Sequence, residues 1–284
     1  MTVLLGMSAL VLDMGSWWRS DRALQQTVDA AALAGAQELP QSTSAATARA
    51  VEYADKNGGG LGSAGISFAG QQLSNDTIKV NMTREAPGFF SKVFGLESVT
   101  VRATASARAG TMSQAQYAAP IGVNLQHPYL SGTSCPCFNQ NTTLELGKLG
   151  PGGFDLLNID GSRGGTGSDI LAGWMRKGYE GFMPLDWYYS DPGAKFESRD
   201  MQDALATRVG DEMLFPIYRE LRGQGSSFEY EIVGWVGFHL TSYSTHGNKG
   251  TLTGWFTHVI WQGIQGSSGS GSPNFGARSV QLVD

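Results

Sequence analysis

Any chemistry in this chain must come from a few side chains. Cys135 and Cys137 stand two apart in a Cys-Pro-Cys string. Such a pair leaves three readings open: a strained local disulfide, free thiols, or part of an unusual metal site. A structural zinc site wants four ligands, commonly including Cys-x2–4-Cys pairs, and here only half of one is visible. His127 lies nearest; His239, His246 and His258 are scattered. Asp155 and Asp160 could bind calcium with neighbouring carbonyls, but no complete calcium loop surrounds them. A turn at Asp160-Gly161 is the simpler reading. The string GSRGGTGS (161–168) lacks the lysine and order of a phosphate loop and follows no clear Rossmann strand. Glu229 and Glu231 on one strand, with Asp203 on a helix, make no known triad or paired-acid motif. Strand glutamates facing solvent explain that pair, and His239 and His258 read as strand residues. No catalytic residue, cofactor or metal is expected.

Composition narrows the classes further. The chain has 284 residues and a formal charge of −5, which excludes a strongly basic nucleic-acid binder. Charged residues make up 16% and hydrophobic residues 41%. Glycine occupies 39 positions without a three-residue period, which excludes collagen. Two cysteines exclude a dense disulfide scaffold.

The elements that would position these groups begin with an apolar stretch. Residues 1–18, MTVLLGMSALVLDMGSWW, contain Asp13 as their only charge. As a helix they would extend about 27 Å, close to a bilayer core of about 30 Å. Trp17 and Trp18 then stand where aromatic residues anchor at an interface, and Arg19 and Arg22 follow. This is the pattern of a membrane helix leaving lipid. It is preferred to a buried soluble helix, and to a secretory signal, which needs a basic leader. The missing leader leads us to expect natural sequence upstream of Met1. A bare carboxylate in hydrocarbon is costly, so Asp13 should be neutral, paired with a partner's amine, or close enough to the boundary to reach headgroup water. The last of these is preferred.

Helix continues beyond the boundary. Residues 21–39 hold strong helix formers and no proline. Leu24, Val28 and Ala31 recur at helical spacing, and Ala32, Leu33 and Ala36 extend a small-residue face that lets another helix approach. Pro40 marks a break, and a second helix is expected over 44–58. Residues 2–39 would form one rod of about 57 Å.

The stretch 9–36, ALVLDMGSWWRSDRALQQTVDAAALAGA, resembles the N-terminal segment of TadE/TadG-like proteins of Flp (Tad) pilus assembly. The shared features are Asp13 with Gly15, Arg19 or Arg22, Leu24 with Gln25, and the alanine-rich run from Asp29 to Ala34, which includes Ala32. The resemblance implies a membrane-tethered envelope protein that assists pilus biogenesis. Some relatives carry a von Willebrand type A domain with a D-x-S-x-S metal site; no such motif stands here, and that activity is not carried over.

Residues 78–84 alternate as a strand with Ile78, Val80 and Met82 on one face. APGFFSKVFGLESV predicts a short helix whose apolar patch is Phe89, Phe90, Val93 and Phe94, with Gly95 as its stop. Residues 99–109 read as another strand, and 61–73 hold a shorter one. The strand–PxFF–helix–strand order also resembles the TadE/TadG-like proteins. Helices are expected at 168–181, capped by Ser168 or Asp169, and at 198–213, with Met201, Leu205 and Val209 on one face. Alternation then takes over. Phe228, Tyr230, Ile232, Val236, Phe238 and Leu240 are assigned to one strand face, with Trp235 and His239 on the other. A hairpin loop at 244–250, a strand over 251–261, the flexible run 266–272 and a last strand at 277–283 complete the chain. Both strand faces are apolar, which predicts a sheet covered on both sides or packed in a sandwich.

These readings combine into an α+β chain: a long N-terminal membrane helix with its helical extension (1–57), a small α+β module (58–112) and a β-rich, envelope-facing body with a few helices (113–284). The expected function is that of a noncatalytic, membrane-anchored accessory of Flp/Tad-type pilus or surface-secretion assembly. The expected partners are the lipid bilayer, other pilus-assembly or envelope proteins and further copies of itself, without nucleic acid. It would sit in the membrane as a single-pass protein, with its body in the periplasm or outside the cell. Leu24 to Ala36 would form its assembly face. The rival classes are an extracellular adhesin that binds carbohydrate or calcium, with an aromatic surface including Tyr188 and Tyr189, and a cell-wall hydrolase.

Overall fold

The computed structural model describes residues 2–131, 136–148, 150, 152–163, 165–191, 193–223, 228–245, 250–266 and 273–283. They form two units. One comprises Met1–Ala109 with Val280–Asp284, the other Gly110–Ser279.

The first unit is mixed α and β. Helix α1 (Thr2–Ala36) runs 35 residues, about 52 Å at helical rise. It ends before Pro40, and α2 (Thr43–Lys56) starts at Ser42, whose hydroxyl accepts the Ala45 amide at 3.1 Å. Strands β1 (Ile66–Ala69), β2 (Thr77–Pro87) and β3 (Ser98–Gly110) form an antiparallel meander in which Pro87 faces Ser98. Residues 280–283 of the last strand lie beyond β3.

Small residues set how these elements pack. Leu24, Val28, Ala31, Ala32 and Ala36 of α1, and Ala46, Ala50 and Ala54 of α2, are all fully buried. Ile78, Val80 and Met82 of β2 and alternate residues Val101 to Ala109 of β3 complete the core. Alanines bring the backbones close, and each buried branched residue such as Ile78 adds about 1.5–3 kcal/mol of hydrophobic stabilisation. At Gly35 the helices and β2 come close: a Cβ there would lie 2.6 Å from Ile78 Cδ1, 2.9 Å from the Ala46 carbonyl oxygen and 3.2 Å from Ala50 Cβ. The face expected to pair with other assembly proteins is therefore filled by α2 and β2 of the same unit.

The helix expected on the strand–PxFF–helix–strand module is not the one that covers the sheet; α1 and α2 do that. Residues 91–94 make only a 3-10 turn, closed by Gly95 at φ 81°. Their apolar patch points to solvent. Among the described residues, no helix is long and apolar enough to cross a membrane. The physical cause lies in the sequence of α1: its apolar run is interrupted at Asp13 and gives way to Arg19, Asp21 and Arg22.

Asp76 organises the turn before β2. Its carboxylate accepts the backbone amides of Gln71 (3.0 Å), Gln72 (2.8 Å) and Leu73 (2.9 Å) and the Thr77 hydroxyl (2.7 Å). Burial alone would push this carboxyl up, but the four donors together hold it below the ordinary aspartate value of 3.8. A carboxyl depressed in the folded state stabilises above its unfolded value and loses that contribution as pH falls through it. Thermal unfolding followed by the helical circular-dichroism signal is expected to show this loss below about pH 4, and Asp76→Asn is expected to shrink it.

The second unit is β-rich. Its strands are β4 (Met112–Ala115), β5 (Ile121–Asn124), β6 (Asn141–Leu146), β7 (Gly153–Asn158), β8 (Met183–Pro184), β9 (Trp187–Asp191), β10 (Glu212–Arg222), β11 (Glu229–Ser244), β12 (Thr251–Thr257), β13 (Val259–Ile260), β14 (Gly263–Gln265) and the start of β15 (Ala277–Val283). Its helices are α3 (Pro128–Ser131), α4 (Ser168–Lys177) and α5 (Arg199–Ala206). The pairing order β10-β5-β7-β6-β12-β11 returns to β10, and β9 bridges β7 to β11. This circuit leaves these strands few free edges.

Apolar groups cover both strand faces, as expected. Val236, Phe238, Leu240, Leu252 and Phe256 join one core with α4 and α5; Tyr230, Ile232 and Trp235 join another. Alternation alone put Tyr230, Ile232 and Val236 on one face. The register slips between Ile217/Gly234 and Tyr218/Ile232, so Val233 is an extra residue that exchanges the faces. Helix α4 follows Gly167 and has no side-chain cap. Helix α5 is capped by Ser198 but stops at Ala206, leaving Val209 exposed beside Gly210 at φ 93°.

Candidate functional site

The most distinctive polar arrangement lies in the first unit. Asp13 is 1% exposed although Leu10, Val11, Leu12 and Met14 around it are 57–67% exposed. Its carboxylate is enclosed by the β2–β3 connection. Oδ1 accepts the Phe89 amide at 2.9 Å and the Phe90 amide at 3.1 Å; Oδ2 accepts the Phe90 amide at 3.0 Å and the Ser91 amide at 2.5 Å. Three consecutive N–H groups thus converge on one anion. The loop is closed on itself by Gly88 N–H to the Glu97 carbonyl (2.9 Å) and the Ser91 hydroxyl to the Leu96 carbonyl (2.9 Å).

The expected position of Asp13 near a boundary gave no hint of this partner. Its carboxylate accepts backbone amides 76–78 residues away. The signal was present only as two separate strings, the aspartate before Gly15 and PGFFS.

The other residues of the α1 motif have distinct local tasks. Trp17 is half-buried against the core; Trp18 is 63% exposed, with the Arg22 guanidinium 5.4 Å from its ring centre. Arg19 is exposed. Gln25 donates to Asp29 Oδ1 at 2.8 Å and to the Thr104 carbonyl of β3 at 3.1 Å. This Leu-Gln…Asp feature therefore ties helix to sheet. Thr27 adds a bond from its hydroxyl to the Asn57 carbonyl at 2.6 Å.

The alternative sites of the second unit are engaged elsewhere. Glu231 takes a two-pronged contact from Arg219 (2.6 and 3.0 Å), and Glu229 is held by Arg222. Asp203 is exposed on α5. Tyr188 is buried, and Tyr189 lies under Arg163. Asp160 accepts the Ser162 amide at 2.7 Å in a local turn. Asp155 faces Tyr230; burial pushes its carboxyl up to about 6, with the tyrosine hydrogen bond opposing the rise. Among the described residues, no group of three or more His, Cys, Asp or Glu side chains could hold a metal ion. Cys135, and with it the choice among the three readings of the Cys135/Cys137 pair, lies outside the described residues, as do His246, most of the expected 244–250 loop and the glycine-serine run 267–272.

His127 is a structural group. It is 3% exposed, its Nδ1 accepts the Tyr129 amide at 3.1 Å, and its Nε2 faces the Thr142 hydroxyl at 3.2 Å. Burial lowers its pKa from 6.5 to about 4, so the ring is neutral. A histidine depressed in the folded state stabilises above its unfolded value and loses that contribution as pH falls. The second unit is therefore expected to weaken between pH 6.5 and about 4. Comparing wild type with His127→Gln by thermal unfolding across that range checks it: the variant's slope should be shallower.

Helix α1 and its Asp13 are also where the chain meets known proteins. Residues 1–38 match the TadE/G-like Flp pilus-assembly family, Tad. The match covers α1 and the turn after it, a short N-terminal segment of the chain. No curated protein and no solved structure matches the chain. The TadE/G-like segment thus divides at Asp13 into a half with exposed apolar residues and a half, from Leu24 to Ala36, built into a folded core.

Proposed function

We propose that this chain is a noncatalytic accessory of Flp/Tad-type pilus or surface-secretion assembly, tethered to the envelope membrane by the first half of α1. The observation that carries the reading is the coincidence of the family match with that half-helix. Met7, Leu10, Val11, Leu12 and Met14 offer their apolar side chains outward there. Water is a poor solvent for such a row, and lipid a good one. The folded remainder lies in the periplasm or outside the cell, where it meets other envelope proteins. Because Leu24 and Ala36 are already buried, those contacts use other surfaces. The arginine partners of Glu229 and Glu231 favour this reading over a hydrolase.

Membrane fractionation with protease protection, using a tag after Asp284, tests it. A membrane-bound chain whose tag is digested from outside the cytoplasm supports the reading. A chain that stays with the cytoplasmic fraction overturns it.

A further inference from the structure

We propose that the β2–β3 loop, residues 88–97, is a second lipid-contacting element, held by Asp13 level with the boundary of an anionic bilayer. This rests on the anchoring role given to α1 above.

The loop breaks the pattern of its own hairpin. Along β2 and β3 apolar residues turn inward, yet at the tip Val93 is 84% exposed, Phe94 83% and Phe89 64%, with Phe90 and Leu96 about half exposed. A contiguous set of this kind in water marks a surface that meets something apolar. It is also fixed. The Asp13 carboxylate holds three successive amides of the loop, so its phenylalanines lie beside the exposed apolar half of α1.

The order of chemistry along α1 selects lipid as the occupant. Leu10, Val11 and Leu12 precede Asp13; Trp17 and Trp18 follow it, then Arg19 and Arg22, while Lys92 stands in the loop. At helical rise Trp17 and Trp18 lie about 6–8 Å and Arg19 about 9 Å beyond Asp13. The headgroup layer on each side of a bilayer is about 5–8 Å deep. With Asp13 at the hydrocarbon edge, the exposed Trp18 indole falls in that layer, Trp17 packs against the core, and the cations stand at the polar side, among anionic headgroups. A self-associating patch needs no such axial order. The arrangement also explains how a carboxylate is tolerated there: the loop covers it, leaving it 1% exposed, and supplies the donors that water would otherwise provide.

The test uses the full chain in vesicles of phosphatidylethanolamine and phosphatidylglycerol. A benzophenone side chain is placed singly at Leu10, at Phe94, or at Gln37, an exposed residue of the same unit just past the far end of α1. After irradiation, adducts are identified by mass spectrometry. Lipid adducts are expected at Leu10 and Phe94, with about tenfold less at Gln37, and the Phe94 yield should fall when phosphatidylcholine replaces phosphatidylglycerol. Lipid adducts at Leu10 but not Phe94, or Phe94 joined to a second copy, overturn the loop proposal and leave the anchor standing. An equal Phe94 yield on neutral vesicles overturns the role of anionic lipid. No lipid adduct at Leu10 removes the anchor, and the loop proposal with it.

Discussion

Asp13→Ala is expected to release the β2–β3 loop while leaving both helices and the sheet in place. The alanine side chain offers no acceptor, so the Phe89, Phe90 and Ser91 amides lose their shared carboxylate at once. Each then needs water or a new partner, and a buried donor without one is costly. The helix itself gains from alanine, which has the highest intrinsic propensity. The damage is therefore confined to the loop. Hydrogen exchange of the full chain should show the amides of residues 89–91 exchanging at least about tenfold faster, with 24–36 and 78–82 unchanged. Asp13→Asn keeps one acceptor oxygen and should fall between. Unchanged protection at 89–91 in Asp13→Ala would mean that the carboxylate does not hold the loop.

Gly35→Val should damage the unit as a whole. Its Cβ would meet the Ala46 carbonyl oxygen at 2.9 Å and Ile78 Cδ1 at 2.6 Å. Ile78 can turn aside, but a backbone oxygen can retreat only if α2 moves. Overpacking of this kind costs about 1–3 kcal/mol, and the second methyl of valine places this case at the upper end. Gly35→Ala should show the same effect at smaller size. Thermal unfolding followed at the helical circular-dichroism band should register a lower midpoint that decreases from Gly to Ala to Val. Equal midpoints for all three would show that α1 and α2 do not pack as closely as described.

The strand periods and helix propensities were legible because they are local. Ile78, Val80 and Met82 alternate in the sequence and share a buried face, and Leu24 and Val28 stand four apart and are both buried. What the small residues of α1 face was not legible. A row of alanines says that something approaches closely, not whether it is another protein or the chain's own α2. Nor was the exchange of faces in β11, because one extra residue at Val233 leaves no compositional trace and inverts every assignment beyond it. Asp13 is the instructive case for the site. Its cost in an apolar setting was evident from residue type alone, and so was the need for compensation. The compensating groups were backbone amides, which every sequence has everywhere, so only the fold could show which three they are.

The anchoring role of α1 is tested most directly by vesicle flotation of the full chain. Leu10, Val11 and Leu12 are 57%, 67% and 59% exposed, so replacing all three by aspartate should spare the fold while making entry into lipid prohibitive. The wild-type chain is expected to rise with the vesicles, and the Leu10→Asp, Val11→Asp, Leu12→Asp chain to stay at the bottom of the gradient with an unaltered circular-dichroism spectrum. A wild-type chain that stays at the bottom, or a triple variant that rises equally well, would contradict the account.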